Sequence, residues 1–307
     1  MNGSGKASQI RVAVLGTWNW LEVAADLLRC ANIPCDVIDI RSLPRLAGWA
    51  IRGNLRRYDF VYRVGGSCWS LGLLFKLLGR KVVWHWIGSD VLGFRSDRQR
   101  RGVRGWIGRR AAYRWAFAHL ADSPQLAQEL QELGLSPQVV RLLPKCIEAS
   151  PQPLPEKFTV LSYWTKGRRT FYGGDIVFAL AQAMPEVAFL VVGTEAADEP
   201  AAPANVKCLG YLKDLSPIYS RSSVLVRLPQ HDSLSAMVLE MLARGRYVIY
   251  NKNLPGCHQA GDFDGALRAL KEIRDRGQIN AAGSEMVKQD FSREKEARTL
   301  SRLLNGC

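Results

Sequence analysis

Apolar positions in this chain fall into short unbroken runs separated by longer amphipathic stretches. Ile10 to Leu15 (IRVAVL) is rich in β-branched residues and closes on Gly16. Such a run predicts a strand buried on both faces. Phe60 to Val64 and Lys81 to Trp86 repeat the pattern, followed by Phe117 to Ala121, Phe158 to Tyr163, Ala188 to Gly193, Val224 to Arg227 and Tyr247 to Tyr250. Helical stretches alternate with them, at about Trp20 to Cys30, Trp69 to Leu78, Gln125 to Gly134, Ala236 to Arg244 and Gly265 to Arg276. Strands alternating with helices predict βαβ units and parallel sheets. The stretch Glu148 to Lys157 (EASPQPLPEK) has three prolines and no period, which reads as a linker. The expected organisation is therefore a domain over 1–148, a linker over 149–157 and a domain over 158–307.

The most informative stretch is Leu228 to Tyr250, LPQHDSLSAMVLEMLARGRYVIY. A polar turn ends in Ser233 and Ser235, either of which could cap a helix start. Ala236 to Arg244 are good helix formers, and Gly245 suits the position just past the end. Glu240 sits among Met237, Val238, Leu239, Met241 and Leu242. A helix apolar on nearly every side is normally buried, and a buried carboxylate is costly unless it is paired. Glu240 then either reaches the surface or an arginine, or accepts hydrogen bonds from a polar ligand. Asp232 stands eight positions earlier, and the turn Asp232-Ser233-Leu234-Ser235 presents free backbone N–H groups that suit a phosphate.

This stretch resembles the Glu-x7-Glu segment of retaining glycosyltransferases with the two-Rossmann (GT-B) fold, of the family-4 kind. The spacing from Asp232 to Glu240 is kept, as is Ala243-Arg244-Gly245-Arg246-Tyr247-Val248-Ile249 against Ala-x-Gly-x-Pro-Val-Ile. The first Glu is replaced by Asp232, the turn glycines by serines and the Pro by Tyr247. Two further stretches follow the family order. Ile87-Gly88-Ser89-Asp90 resembles the His-Gly-Ser/Thr-Asp turn at the end of a strand, with Ile87 in the His position and His85 two residues earlier. Asp90 is the candidate here for a sugar hydroxyl, or else caps the next segment. His85 is a candidate against a structural histidine. After Phe158 to Tyr163 comes Thr165-Lys166-Gly167-Arg168-Arg169 and then Gly173-Gly174-Asp175. In the family an Arg and a Lys of this loop hold the nucleotide diphosphate. By register those positions fall on Gly167 and Tyr172, so Lys166, Arg168 and Arg169 are the candidate replacements.

The resemblance implies an α/β fold of two Rossmann-like, doubly wound domains facing a cleft, with a last helix at about 291–304 packing back toward the first domain. It implies that Glu240 binds the nucleotide ribose and that the 232–235 turn binds donor sugar and phosphate. Gly16, at the first strand-to-helix turn, would face the cleft on the donor side, or serve only as a tight turn. A single glycine there makes no dinucleotide fingerprint. Neither a metal nor a cofactor is expected, because the loop cations would neutralise the leaving diphosphate.

Charge adds a partner. Of 42 Lys+Arg and 28 Asp+Glu, residues 1–150 hold 22 and 11, a net of +11, leaving +3 for the rest. Arg95 to Arg114 carries eight arginines interleaved with aromatics. A helix there would set Arg98, Arg101, Arg104, Arg109 and Arg110 around Trp106, the pattern of a segment lying on an anionic membrane. A solvated surface helix gives the same pattern, and nucleic acid is the less favoured polyanion. No apolar run is long enough to span a bilayer. The start MNGSGKASQ lacks a signal core, and seven scattered cysteines argue for reduced thiols. These point to a cytoplasmic protein peripheral to the inner face of the membrane.

The expected function is transfer of a sugar from a nucleotide-sugar, UDP- or GDP-linked, to a lipid-linked or cell-surface glycan acceptor, with retention. The alternatives are a degenerate protein of the same fold that binds a membrane or partner without catalysis, and a sugar-nucleotide epimerase.

Overall fold

The structure, a computed structural model, describes residues 10–16, 18–38, 43–65, 69–99, 102–103, 105–106, 116–148 and 150–306. The chain divides into two compact units, Met1–Leu143 with Ser292–Cys307, and Pro144–Phe291.

In the first unit β1 (Val12–Gly16), β2 (Cys35–Val37), β3 (Phe60–Val64), β4 (Lys81–Trp86), β5 (Ala116–Ala121) and β6 (Gln138–Val139) form one sheet in the order β2-β1-β3-β4-β5-β6. Every pairing is parallel. Alternate residues feed opposite faces. Ala13, Leu15, Val61, Trp84 and Trp86 pack on one side, and Val12, Val14, Phe60, Tyr62 and Val64 on the other. This two-sided burial is why the strands read as continuous apolar runs. β2 is short, Cys35–Val37, and its pairing with β1 runs in register from Val12 to Val14.

The last helix, Arg293–Asn305, belongs to this unit. Ser292 caps it by accepting from Lys295 N at 3.2 Å. Ala297, Leu300 and Leu304 pack into the core beside Leu21, Ala24, Ala25 and Leu28. Glu296 accepts from Arg141 N at 3.0 Å and Arg141 Nη1 at 2.9 Å.

In the second unit β7 (Thr159–Tyr163), β8 (Ala188–Val192), β9 (Val206–Cys208), β10 (Val224–Arg227), β11 (Tyr247–Tyr250) and β12 (His258–Gln259) form a parallel sheet in the order β12-β11-β10-β7-β8-β9. Strand order reverses between β7 and β10, and in the first sheet between β1 and β3. Open α/β sheets bind ligands outside the carboxyl ends of their strands at such a reversal.

The stretch 149–157, expected as a linker, is tied to the second unit. Arg246 is 1% exposed and donates to the carbonyls of Gln152 (3.2 Å), Pro153 (2.7 Å), Tyr219 (3.3 Å) and Ser220 (3.2 Å). The proline-rich segment has no strand partner for its carbonyls, and this guanidinium supplies the donors. Four carbonyls, one buried and three part-buried, share one side chain, so its loss removes the donor from all of them. Arg246→Ala is expected to destabilise the protein by on the order of 3 kcal/mol, read as a fall in the urea midpoint.

Candidate active site

The reversal in the second sheet gathers the basic loop after β7, the turn after β10 and the ends of both strands. Gly173 lies against Leu228, and a Cβ there would stand 2.6 Å from the Leu228 carbonyl oxygen. Its φ of +76° also favours glycine. Gln230 N donates to Phe171 O at 2.8 Å. The loop 165–173 and the turn 228–235 are therefore one packed unit, not two independent loops.

Within it, the three candidate cations differ. Lys166 is exposed and paired with Asp198 at 2.6 Å. Arg169 donates to Asp175 (2.8 Å) and Glu199 (2.8 Å) and stacks on Phe178 at 4.8 Å. Glu199 also accepts from Trp164 Nε1 at 2.8 Å. Arg169 is thus committed to holding its own loop. Arg168 stacks on Phe171 at 4.1 Å and Tyr172 at 5.4 Å, an arrangement that orients a guanidinium without neutralising it.

Asp232 closes the other side. Its Oδ2 accepts from Arg227 Nε at 2.8 Å and from the Tyr250 hydroxyl at 3.1 Å. Burial alone would lower the Arg227 guanidinium, but Asp232 beside it more than reverses this. Burial pushes the Tyr250 phenol well above its ordinary value, so it remains a donor. Arg227 also lies 5.7 Å from the Tyr163 ring and 5.5 Å from that of Tyr172.

The helix Ala236–Ala243 follows. Ser235 occupies its N-cap with no side-chain cap bond, whereas the helices at 263–276 and 281–290 are capped by Asp262 and Asn280. Ser233 and Ser235 are buried and Leu234 is half-buried. Glu240 is buried in a helix whose residues Met237 to Ala243 are all buried. Arg244 Nη1 donates to its main-chain carbonyl at 3.0 Å.

The candidates in the first unit sit differently. Gly16 has φ +147°, and a Cβ there would meet the Val64 carbonyl oxygen at 2.0 Å. Glycine is needed for the close approach of β1 to β3, whatever else the turn does. His85 is 1% exposed and hydrogen-bonded through Nδ1 to the Tyr62 hydroxyl. Burial pushes its imidazole down to about 3, so it stays neutral. Asp90 accepts from the N–H groups of Ile87 (3.2 Å), Gly88 (2.9 Å) and Val91 (3.1 Å). It ties the turn after β4 to the start of the Asp90–Gln99 helix. Of the membrane candidates, Arg101, Arg104, Arg109 and Arg110 lie outside the described residues, as does the side chain of Arg98. Trp106 is 48% exposed.

Sequence reasoning missed Arg227, Tyr250, Tyr163 and Tyr172. The signal was present for Arg227, a lone cation closing the apolar run Val224-Leu225-Val226. Among the described residues no group of three or more His, Cys, Asp or Glu converges as a metal site, and no helix is long and apolar enough to cross a membrane.

Residues 9–146 match the family described as glycosyl transferase 4-like domain. The chain is also similar to solved structures over nearly its whole length. HepE of Anabaena in complex with UDP-glucose is 14% identical, with a TM-score of 0.75 over 97% of this chain and 100% of that one. Sucrose-phosphate synthase of Thermosynechococcus elongatus is 15% identical, with a TM-score of 0.76 over 97% and 98%. WaaG, a glycosyltransferase involved in lipopolysaccharide biosynthesis, is 11% identical, with a TM-score of 0.64 over 96% and 100%. No curated protein sequence matches the chain. Two parallel six-stranded sheets of this kind, flanked by helices, are the architecture of GT-B glycosyltransferases. The chain has that fold, and its residues 9–146 match the glycosyl transferase 4-like domain.

Asp90 has a consequence for stability. Burial pushes its carboxyl from 3.8 up to about 6, against the N–H groups that hold it down. A raised folded value favours the fold fully below the unfolded value and loses that contribution as pH rises through the folded one. Wild-type stability relative to Asp90→Asn is therefore expected to fall between about pH 4 and pH 6 and to level off above, by urea denaturation across that range.

Proposed function

We propose that the protein transfers a sugar from a UDP-sugar to a lipid-linked or cell-surface glycan acceptor, with retention at the anomeric carbon. The observation that carries this reading is the packed pair of loops at the strand reversal. There an aromatic-stacked arginine, a fixed carboxylate and a helix start without a side-chain cap lie together. A helix start and a guanidinium suit a diphosphate, and a carboxylate suits sugar hydroxyls. HepE, with this fold, binds UDP-glucose, which favours uridine as the donor base.

In this mechanism Arg168 and the N–H groups of the 233–236 turn stabilise the diphosphate as the bond from sugar carbon to phosphate oxygen breaks. Preorganised charge of this kind is the main catalytic resource of such a site. The acceptor hydroxyl attacks the same carbon, and its proton passes to the departing phosphate. Glu240 binds the ribose hydroxyls. Lys166 and Arg169 add to the field around the diphosphate while holding the loop in shape. This neutralisation by side chains is proposed to operate without a metal or cofactor. The strongly basic first half, +11 over residues 1–150, would draw the protein to an anionic membrane surface where a lipid-linked acceptor resides.

Thermal unfolding with UDP, GDP and ADP and their sugar conjugates tests the donor. A ligand at about 100 times its Kd adds about 2.7 kcal/mol and raises Tm by a few degrees. UDP and one UDP-sugar are expected to do so. Glu240→Gln and Arg168→Gln are each expected to weaken that binding about tenfold or more. No shift with any nucleotide overturns the reading.

A further inference from the structure

The Asp232 carboxylate is held in an unusual way for a group expected to meet a sugar. Register pairs Arg227 of β10 directly with Tyr250 of β11. Neighbouring residues of parallel strands point to the same face of the sheet. Their side chains therefore rise together at the carboxyl ends, and both donate to one oxygen, Oδ2, at 2.8 and 3.1 Å. Among the described residues no donor is bonded to Oδ1.

The donors are themselves fixed. Arg227 is 9% exposed and Tyr250 2%. The rings of Tyr163 and Tyr172, 5.2 Å apart and edge to face, stand 5.7 and 5.5 Å from the Arg227 guanidinium. Tyr172 occupies the loop position where the family pattern carries a lysine, and here it packs against a cation supplied from β10. The Tyr250 hydroxyl lies 3.4 Å from the Ser233 carbonyl, so the clamp also touches the turn that follows Asp232.

We propose that Arg227 and Tyr250 are positioning residues: they grip Oδ2 of Asp232 so that Oδ1 accepts a hydrogen bond from a hydroxyl of the donor hexose. The inference rests on the UDP-sugar reading and adds to it the groups that set sugar recognition. A surface ion pair would leave the carboxylate free to rotate and contribute little. A carboxylate with two hydrogen bonds to one oxygen, one of them from an arginine walled by aromatic rings, has lost that freedom before ligand arrives, which is the condition for a directional contact. The clamp also suits the shorter acid. Asp232 has one methylene less than the glutamate of the family pattern, and a short stem needs anchoring at both ends to hold its reach.

Calorimetric titration of the full chain with UDP, and with UDP-glucose, UDP-galactose and UDP-N-acetylglucosamine, separates the sugar contact from nucleotide binding. In the wild type one sugar conjugate is expected to bind about tenfold more tightly than UDP, the worth of one hydrogen bond to a charged group. Tyr250→Phe, which keeps the ring, Arg227→Gln and Asp232→Asn are each expected to erase most of that gain and leave UDP affinity unchanged. The double variant Tyr250→Phe/Asp232→Asn is expected to bind no worse than Asp232→Asn alone, because the tyrosine acts through the carboxylate. The proposal is overturned if Tyr250→Phe and Arg227→Gln keep the wild-type preference. It is overturned too if they weaken UDP and UDP-sugar equally, the mark of a purely structural pair, or if no sugar adds affinity over UDP. If the wild type binds neither UDP nor any conjugate, the donor reading itself fails and this inference fails with it.

Discussion

The structure of the second unit depends on a single constraint of parallel sheets. Every strand must be re-entered from the same end, so connections leave from the carboxyl edge and return at the amino edge. Where strand order reverses, between β7 and β10, two neighbouring connections leave in opposite directions and open a gap above the sheet. The chain fills that gap with the loop 165–173 and the turn 228–235. Gly173 against Leu228 and the Gln230–Phe171 hydrogen bond show how tightly they are fitted. The first sheet has its own reversal, between β1 and β3, and there Gly16 sits so close to Val64 that no side chain fits.

Within that frame, charges are sorted by what they already hold. Lys166 and Arg169 have carboxylate partners at 2.6 and 2.8 Å. Arg168 has aromatic rings instead. A guanidinium stacked on rings is oriented but keeps its full charge, whereas one paired twice with acids is spent on structure. Arg227 is the opposite case, a buried cation whose partner, Asp232, is also a candidate for the ligand. Removing one member of such a pair leaves an uncompensated charge, which is why conservative changes at Tyr250 are more informative than truncations at Arg227.

Much of this was legible in the sequence, and the reasons differ by element. Phe60–Val64, Lys81–Trp86, Val224–Arg227 and Tyr247–Tyr250 are strands at the bounds their apolar runs predict. A strand buried on both faces reads as a near-continuous apolar run, with few polar positions to blur its ends. The helix Ala236–Ala243 and its stop at Gly245 were equally plain. Edges were less so: β2 begins at Cys35, where little but pairing to β1 marks the strand. The helix Ala281–Asp290 was not foreseen, since Gly283 and Ser284 weaken the helix preference of its first turn. In the site, the cationic loop and the Asp232 turn could be found because residue type and spacing announce them. The clamp could not, because Arg227 and Tyr250 meet across a strand pair and are 23 residues apart in sequence. Nor could the docking of 149–157 by Arg246, for the same reason. The sequence gives residue types along a line, and these contacts arise only when the sheet brings the lines together.

Hydrogen exchange of backbone amides with and without saturating UDP-sugar tests the central claim most directly. The account predicts slowed exchange over 165–173 and 230–239, where loop and helix start would enclose the diphosphate and sugar, by about tenfold or more if the enclosed amides open only in the unbound form. Ligand binding with no slowing in either segment, or with slowing confined to other parts of the second unit, would contradict it.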